Sequence, residues 1–297
     1  MKPWIKWTAG GVGVLVLLVA GAAVLGAQMA ERRMNRVVQV AVKPVADASG
    51  ELALERGKYL FLSRGCTDCH GASGGGRDFV NDGAMRLRGP DISQGGVVAG
   101  YQPEDWVRII RHGVKPDGRP AMVMPSEDYN RFTDEDLAAL VAYVRSLPPA
   151  KGGPGAVDLP LPVRVLYGFG AIPEAAAKID HTLPPAQPVP AAVDARHGAY
   201  VANACIGCHG EKLAGGKIPG GPPDWPAAAN LTPGEGTAMS RYTDAAAFTA
   251  MLRTGKRPDG TAIAVMPFES LAKMNDVDAQ ALFTYLKTVP PRKLGER

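Results

Sequence analysis

Cysteine is scarce, with four residues in 297, far too few for a disulfide-stapled scaffold. Charge is missing altogether from residues 8–30. In residues 37–297 no basic cluster stands out, only pairs such as Lys256-Arg257. A nucleic-acid reader carries a basic face in its folded domain, so no nucleic-acid partner is expected. The apolar/polar alternation of half-buried strands is not found. A Gly-X-Y period is absent too, although Gly (36) and Pro (26) make up about a fifth of the chain, so it is not collagen. What is present is a 46% apolar composition, too high for a disordered chain. The length suits about two domains.

The uncharged run is 23 residues long, enough to cross a bilayer core as a helix. Core helices of soluble domains rarely run so long without a charge. Two readings remain for residues 1–36. Ala20-Gly21-Ala22 offers a small-residue cleavage site for a signal peptide. The apolar character continues beyond it through Val24, Leu25 and Met29, longer than the usual signal core of about 7–15 residues. That length favours a retained membrane anchor. Both flanks are basic, so flanking charge leaves the orientation open. These 36 residues also carry the whole charge surplus: Lys2, Lys6, Arg32, Arg33 and Arg36 against Glu31, leaving 28 basic and 28 acidic residues in 37–297. The net charge of +4 and pI near 8.8 therefore report the anchor and say little about a partner.

The body is a repeat. Arg111-His112-Gly113-Val114-Lys115-Pro116-Asp117-Gly118 parallels Arg253-Thr254-Gly255-Lys256-Arg257-Pro258-Asp259-Gly260 at an offset of 142. The match continues at Val123-Met124-Pro125 and Val265-Met266-Pro267, at Tyr143 and Tyr285, and at Pro148-Pro149 and Pro290-Pro291. Upstream, Cys66-Thr67-Asp68-Cys69-His70 matches Cys205-Ile206-Gly207-Cys208-His209 at an offset of 139. Self-similarity of this kind marks two copies of one unit. The chain divides into an anchor (1–36), a first domain (37–149), a Pro/Gly-rich linker (150–193) and a second domain (194–297). Proline at the linker's density blocks long helices and reads as a semi-rigid connector. Its apolar stretch, residues 163–172, is expected to pack against a domain. Each copy has a helix entering the cysteine motif (51–64; 194–203), a glycine-rich loop, a mid-domain helix (103–111; 244–253), a Pro-Asp-Gly turn and a terminal helix. Thr133 and Asp136 form a capping-box pattern, and Asn275 caps the second terminal helix. Leu137, Leu140, Val141 and Val144 share one helical face, as do Ala279, Leu282, Phe283 and Leu286. The expected fold class is all-α.

All four cysteines lie in the two C-x-x-C-H motifs, the attachment signature for c-type haem. Two intervening residues let one helical turn present both thiols to the two vinyl groups of one porphyrin, and the adjacent His reaches the iron. Zinc would need four ligands gathered from both motifs, which lie in separate copies. A thioredoxin-like dithiol needs a βαβ context, and none is seen. The sixth iron position suits a Met thioether, which raises the reduction potential. Met124 and Met266 align, each before a proline, 54 and 57 residues after their His. Met122 aligns with Ala264 and His112 with Thr254, so neither is expected to coordinate. His181 and His197, in or beside the linker, read as surface histidines.

C-x-x-C-H, Gly89-Pro90-Asp91-Ile92, Met124-Pro125 and the helix bearing Leu137 and Val144 follow the order of class I c-type cytochromes, which the chain resembles over 50–149 and 194–291. The resemblance implies two tandem class I cytochrome c domains behind a transmembrane helix. It implies two covalent haem c groups, attached at Cys66 and Cys69 and at Cys205 and Cys208. His70 with Met124 and His209 with Met266 would be the axial ligands. In the family a proline carbonyl accepts a hydrogen bond from the haem His; Pro90 matches it, while Ala229-Asn230-Leu231 takes that place in the second copy. Asn230-Leu231-Thr232-Pro233 and the repeated Met-Pro stretches look like cytochrome subunits of membrane-bound bacterial periplasmic dehydrogenases. That likeness implies an electron relay rather than an enzyme. It places the haem domains in the periplasm and the anchor in the inner membrane, with a dehydrogenase as donor and a cytochrome or oxidase as acceptor. The alternative is a two-haem enzyme such as a peroxidase or a thiosulfate-oxidising cytochrome.

Overall fold

The computed structural model describes residues 3–222 and 224–297. Helix α1 (Pro3–Asn35) comes first, and its stretch Trp7–Asn35 is long and apolar enough to cross a membrane. Its apolar side chains, Val12, Leu15, Leu17 and Leu18 among them, are exposed. After an extended stretch come α2 (Glu51–Ser63), α3 (Cys66–His70), the strands β1 (Asp78–Asn81) and β2 (Arg86–Arg88), and then α4 (Pro103–His112) and α5 (Asp134–Ser146). The connector holds β3 (Ala156–Asp158), α6 (Leu161–Gly168) and α7 (Ala175–Lys178). The second half contains α8 (Ala195–Ala202), α9 (Ile206–His209), α10 (Ala245–Thr254), α11 (Phe268–Leu271) and α12 (Asp276–Leu286).

Each half has its own core. Leu60 and Phe61 of α2 meet Trp106 and Ile110 of α4 and Leu137, Val141 and Val144 of α5. Val201 of α8 meets Phe248 and Leu252 of α10 and Leu282 and Leu286 of α12. The apolar residues sit three and four apart, so each helix turns one stripe inward. The first and last helices of each half touch at the backbone. A Cβ on Gly57 would stand 2.0 Å from the Ala139 carbonyl oxygen, and one on Gly198 would stand 2.0 Å from that of Ala281. Only a residue without a side chain fits either crossing.

Helix α5 starts at Thr133, whose hydroxyl accepts from the Asp136 N–H at 3.1 Å. Asp136 does not complete a capping box, because its carboxylate takes both guanidinium bonds of Arg56 at 2.7 Å. Asn275 caps α12 by accepting from the Asp278 N–H at 2.8 Å.

Among the described residues the chain is mostly helical, with one small antiparallel sheet in the order β1-β2-β3. Strands of three or four residues are too short to show a period of two, so the sequence hides them. The strand β3 comes from the connector and pairs Val157 with Leu87. Proline leaves the connector only short helices. Its apolar stretch packs mostly on α1, where Gly168 and Val165 of α6 lie against Gly26, and it also meets a domain as expected, Ile172 lying against Gly220.

The halves meet through reciprocal bonds. The Tyr59 hydroxyl donates to Asp278 at 2.6 Å, and the Tyr200 hydroxyl donates to Asp136 at 2.6 Å. The N–H groups of Asn275 and Thr133 donate to the same two hydroxyls, each at 3.3 Å. These residues hold matching places in the repeat, so each half lends a tyrosine to the cap of the other's last helix. That is the self-complementary pattern of a two-fold interface, here within one chain. Arg64 and His197 also bind Asp278, at 2.5 and 2.7 Å. His197 is thus buried within the second half, 2% exposed, and not the surface histidine its place beside the linker suggests. His181 is also engaged, its Nδ1 lying 3.1 Å from Nδ1 of His112.

Candidate functional site

The two cysteine motifs occupy short helices entered in related ways. In the first half, Gly65 in a left-handed conformation (φ 83°) ends α2 and starts α3. In the second, a 3-10 turn, Asn203–Cys205, leads directly into α9. Both helices stop at a glycine, Gly71 or Gly210, whose N–H returns to the carbonyl of Thr67 or Ile206. Cys66 lies on the edge of the first core and Cys205 on the edge of the second. Burial pushes the thiols up, Cys66 and Cys205 to about 12 and Cys69 to about 11. Thiols held protonated are poor metal thiolates and poor redox nucleophiles. No group of three or more His, Cys, Asp or Glu fit to hold a metal ion occurs among the described residues. The raised thiols weigh against a redox dithiol.

The imidazoles are held the same way in both halves. His70 Nδ1 lies 2.9 Å from the Pro90 carbonyl oxygen, and His209 Nδ1 lies 2.8 Å from that of Ala229. A carbonyl can only accept, so each Nδ1 carries the proton. Burial lowers the pKa of both rings and keeps them neutral. A neutral ring protonated at Nδ1 presents the Nε2 lone pair to a metal. Pro90 therefore stands where the resemblance expects it. In the second half Ala229 does the same task, because only a backbone oxygen is required.

The glycine-rich loops bring these carbonyls close. Gly76 (φ 78°) and Gly215 (φ 69°) are left-handed, and their N–H groups bind the His70 and His209 carbonyls at 2.8 Å. A Cβ on Gly76 would stand 2.2 Å from the Gly89 carbonyl oxygen, and one on Gly215 would stand 2.3 Å from that of Ala228. Left-handed backbone costs a residue with a side chain about 1–2 kcal/mol, and the clash adds to it. Gly76→Ala and Gly215→Ala should each destabilise by at least about 2 kcal/mol and lower the yield of haem-loaded protein. Gly260 is also left-handed (φ 84°) but faces open space, so Gly260→Ala should cost only the strain. Thermal denaturation compares the three; equal losses would contradict the steric argument.

Met124 and Met266 stand in matching turns. The following prolines have φ −81°, ψ 62° (Pro125) and φ −79°, ψ 63° (Pro267). Ser126 N–H returns to the Met124 carbonyl at 2.9 Å and Phe268 N–H to that of Met266 at 2.8 Å. Both methionines are half-buried. Met124 packs on the same core as Cys66. The donor set of each half fits a haem c: two thiols one helical turn apart, a neutral imidazole presenting Nε2, and a thioether on a rigid turn.

The two sites are neighbours. Ser270, four residues after Met266, donates its hydroxyl to Asp68 inside the first cysteine motif at 2.9 Å. Asp128, four residues after Met124, accepts from the Gly207 N–H inside the second motif at 2.7 Å. Each methionine loop thus touches the other half's cysteine helix. Burial pushes the Asp128 carboxyl up to about 7. Sequence reasoning missed this interface. The signal was present in the repeat, where Tyr59 and Tyr200, and Asp136 and Asp278, recur in both copies although the metal sites need neither.

A family model described as "Cytochrome c" matches residues 54–148, and one described as "Cytochrome C oxidase, cbb3-type, subunit III" matches residues 191–286. The chain is 26% identical over 283 residues to the fructose dehydrogenase cytochrome subunit of Gluconobacter japonicus, covering 84% of this chain and 55% of that protein. It is 24% identical over 284 residues to the alcohol dehydrogenase (quinone) cytochrome c subunit of Gluconobacter oxydans, covering 82% and 56%. A diheme cytochrome c-type protein of Cereibacter sphaeroides is 28% identical over 172 residues, covering 52% and 54%. The chain spans about half the length of these relatives. Cytochrome c domains imply covalently bound haem c. Matching site geometry in the two halves, a family match on each, and these relatives lead to one assignment: the chain belongs to the class I c-type cytochromes, as two cytochrome c domains in tandem behind an N-terminal apolar helix.

Proposed function

We propose that this protein is a two-haem electron relay, anchored by α1 in a bacterial inner membrane with residues 37–297 in the periplasm. The observation that carries the reading is the repeated donor set: an imidazole fixed through Nδ1 by a backbone carbonyl and a methionine on a rigid Met-Pro turn, once in each half. The domains run over 37–149 and 194–297, joined by the linker 150–193. Each haem c supplies a reversible one-electron couple when bound. Cys66 and Cys69 would hold one group and Cys205 and Cys208 the other, through thioethers. His70 and Met124 would supply the protein ligands of one group, and His209 and Met266 those of the other. Two protein ligands for each group would leave no position for a small substrate, which fits a chain that moves electrons without making or breaking substrate bonds.

The protein's own residues set the relay geometry. Pro90 and Ala229 fix the histidine rings. The bonds from Ser270 to Asp68 and from Gly207 to Asp128 press each methionine loop against the other cysteine helix. No linker segment has to move for an electron to pass between the halves. The donor is a dehydrogenase catalytic subunit, and the acceptor is a cytochrome or an oxidase of the respiratory chain. Relatives named as cytochrome subunits of fructose and alcohol dehydrogenases support that choice.

Purification from detergent-solubilised membranes tests the reading. The expected protein carries two c-type haems per chain, is low-spin when oxidised, and copurifies with a larger dehydrogenase subunit. One haem per chain, a high-spin resting haem or turnover of hydrogen peroxide would overturn the relay.

A further inference from the structure

The connector helix α6 packs on the last turns of α1, and the contact is tight. A Cβ on Gly168 would stand 2.0 Å from the Gly26 carbonyl oxygen, and one on Gly26 would stand 2.8 Å from Val165 and 3.0 Å from the Phe169 ring. Tyr167 is fully buried, with the Arg33 guanidinium 4.7 Å from its ring centre. Arg33 also donates to the Tyr167 carbonyl at 2.7 Å. Beyond α6, the fully buried Glu174 carboxylate takes Arg33 at 3.0 Å and also pairs with Arg36. The helix α6 is therefore clamped at one height on α1.

That height is informative. Gly26 lies four residues before Ala30, the last of the uncharged run, or about 6 Å along the axis at 1.5 Å per residue. The charged clamp of Arg33, Arg36 and Glu174 marks the aqueous side. Leu161 (54%), Leu166 (49%) and Phe169 (50%) remain exposed beside the apolar span. The helix α6 carries a single charge, Arg164, and exposed Leu and Phe on a helix lying beside an apolar span bury at the boundary of headgroups and acyl chains.

We propose that α6 is a membrane-surface helix. Leu161, Leu166 and Phe169 enter the leaflet from which α1 emerges, and bilayer lipid is the partner that covers them. The inference rests on the reading that α1 crosses the membrane. It adds a second, lateral contact. The connector then cannot swing about the end of α1, and the cytochrome domains are held at the membrane surface in one orientation.

Spin labels on Leu166→Cys, Phe169→Cys and, as a control within α1, Leu18→Cys test this. The full-length haem-loaded protein would be placed in phosphatidylcholine/phosphatidylglycerol vesicles. Collision with oxygen, which concentrates in lipid, is compared with collision with a water-soluble nickel chelate. All three labels should meet oxygen several-fold more than nickel. Nickel exceeding oxygen at 166 and 169 but not at 18 would overturn the surface helix and leave the span intact. Nickel exceeding oxygen at all three would overturn both. Exclusion of both reagents from 166 and 169 would mean protein covers them, and the lipid assignment would fail.

Discussion

Met124→Ala and Met266→Ala should each abolish the methionine–iron absorption band of one site and lower that site's reduction potential by on the order of 100 mV or more. A thioether ligand favours the reduced iron and raises the potential, and axial-ligand choice spans about 0.8 V across haem proteins. The two methionines sit on turns with nearly the same backbone angles, so the same loss is expected at each site. Met122 precedes the same turn and aligns with Ala264, so Met122→Ala should leave band and potential unchanged. A spectroelectrochemical titration reads both quantities. A retained band in either alanine variant would refute that axial assignment. Loss of only one component per variant would also show that the two sites titrate separately.

Asp278→Ala should destabilise the protein by about 3–5 kcal/mol, the usual cost of stranding one partner of a buried ion pair. Asp278 is 1% exposed and receives Arg64, Tyr59 and His197. Its loss leaves the buried Arg64 guanidinium without its carboxylate and opens the seam between the domains. The matching Asp136→Ala should cost less, because its partner Arg56 is 32% exposed and water can replace the carboxylate. Acid should act on the same residue. Burial alone would raise the Asp278 carboxyl; the Arg64 guanidinium and the bonds from Tyr59, Arg64 and His197 overcome burial and hold it down to about 2. A carboxyl depressed on folding contributes its stability above the ordinary pKa of about 4 and loses it as pH falls toward 2. Fully expressed, that is about 2 kcal/mol. Denaturant unfolding at pH 7 and at pH 3, with proteolysis of the connector as a second readout, checks both claims. Equal losses for the two aspartates would refute the asymmetry of the seam.

The cysteine motif was legible in the sequence because its chemistry is local. Two thiols and an imidazole at positions 1, 4 and 5 of one stretch share a helical turn whatever surrounds them. The repeat was legible too, and it singled out Met124 and Met266 from the other methionines without any structure. The terminal helices showed their caps at Thr133 and Asn275 and their apolar faces through a period of 3.6. The fate of Asp136 was not legible. Its place suggested a capping box, yet Arg56 lies 80 residues away in sequence and takes the carboxylate. His197 looked like a surface residue beside a proline-rich linker, but the second domain buries it against Asp278.

By itself the sequence determined that the chain carries two copies of one unit with a C-x-x-C-H motif, that the copies are helical, and that 23 uncharged residues precede them. Each of these depends on residues within a few turns of one another, or on direct comparison of the two copies. Only the tertiary structure decided which carbonyl of Ala229-Asn230-Leu231 holds the second histidine, how the domains face each other, and where the connector rests. Pro90 and Ala229 each lie 20 residues from their histidine, and Tyr59 lies 219 residues from Asp278. Contacts over such separations follow no periodic pattern. They arise when folding brings distant polar groups out of water together, and each group then needs a partner.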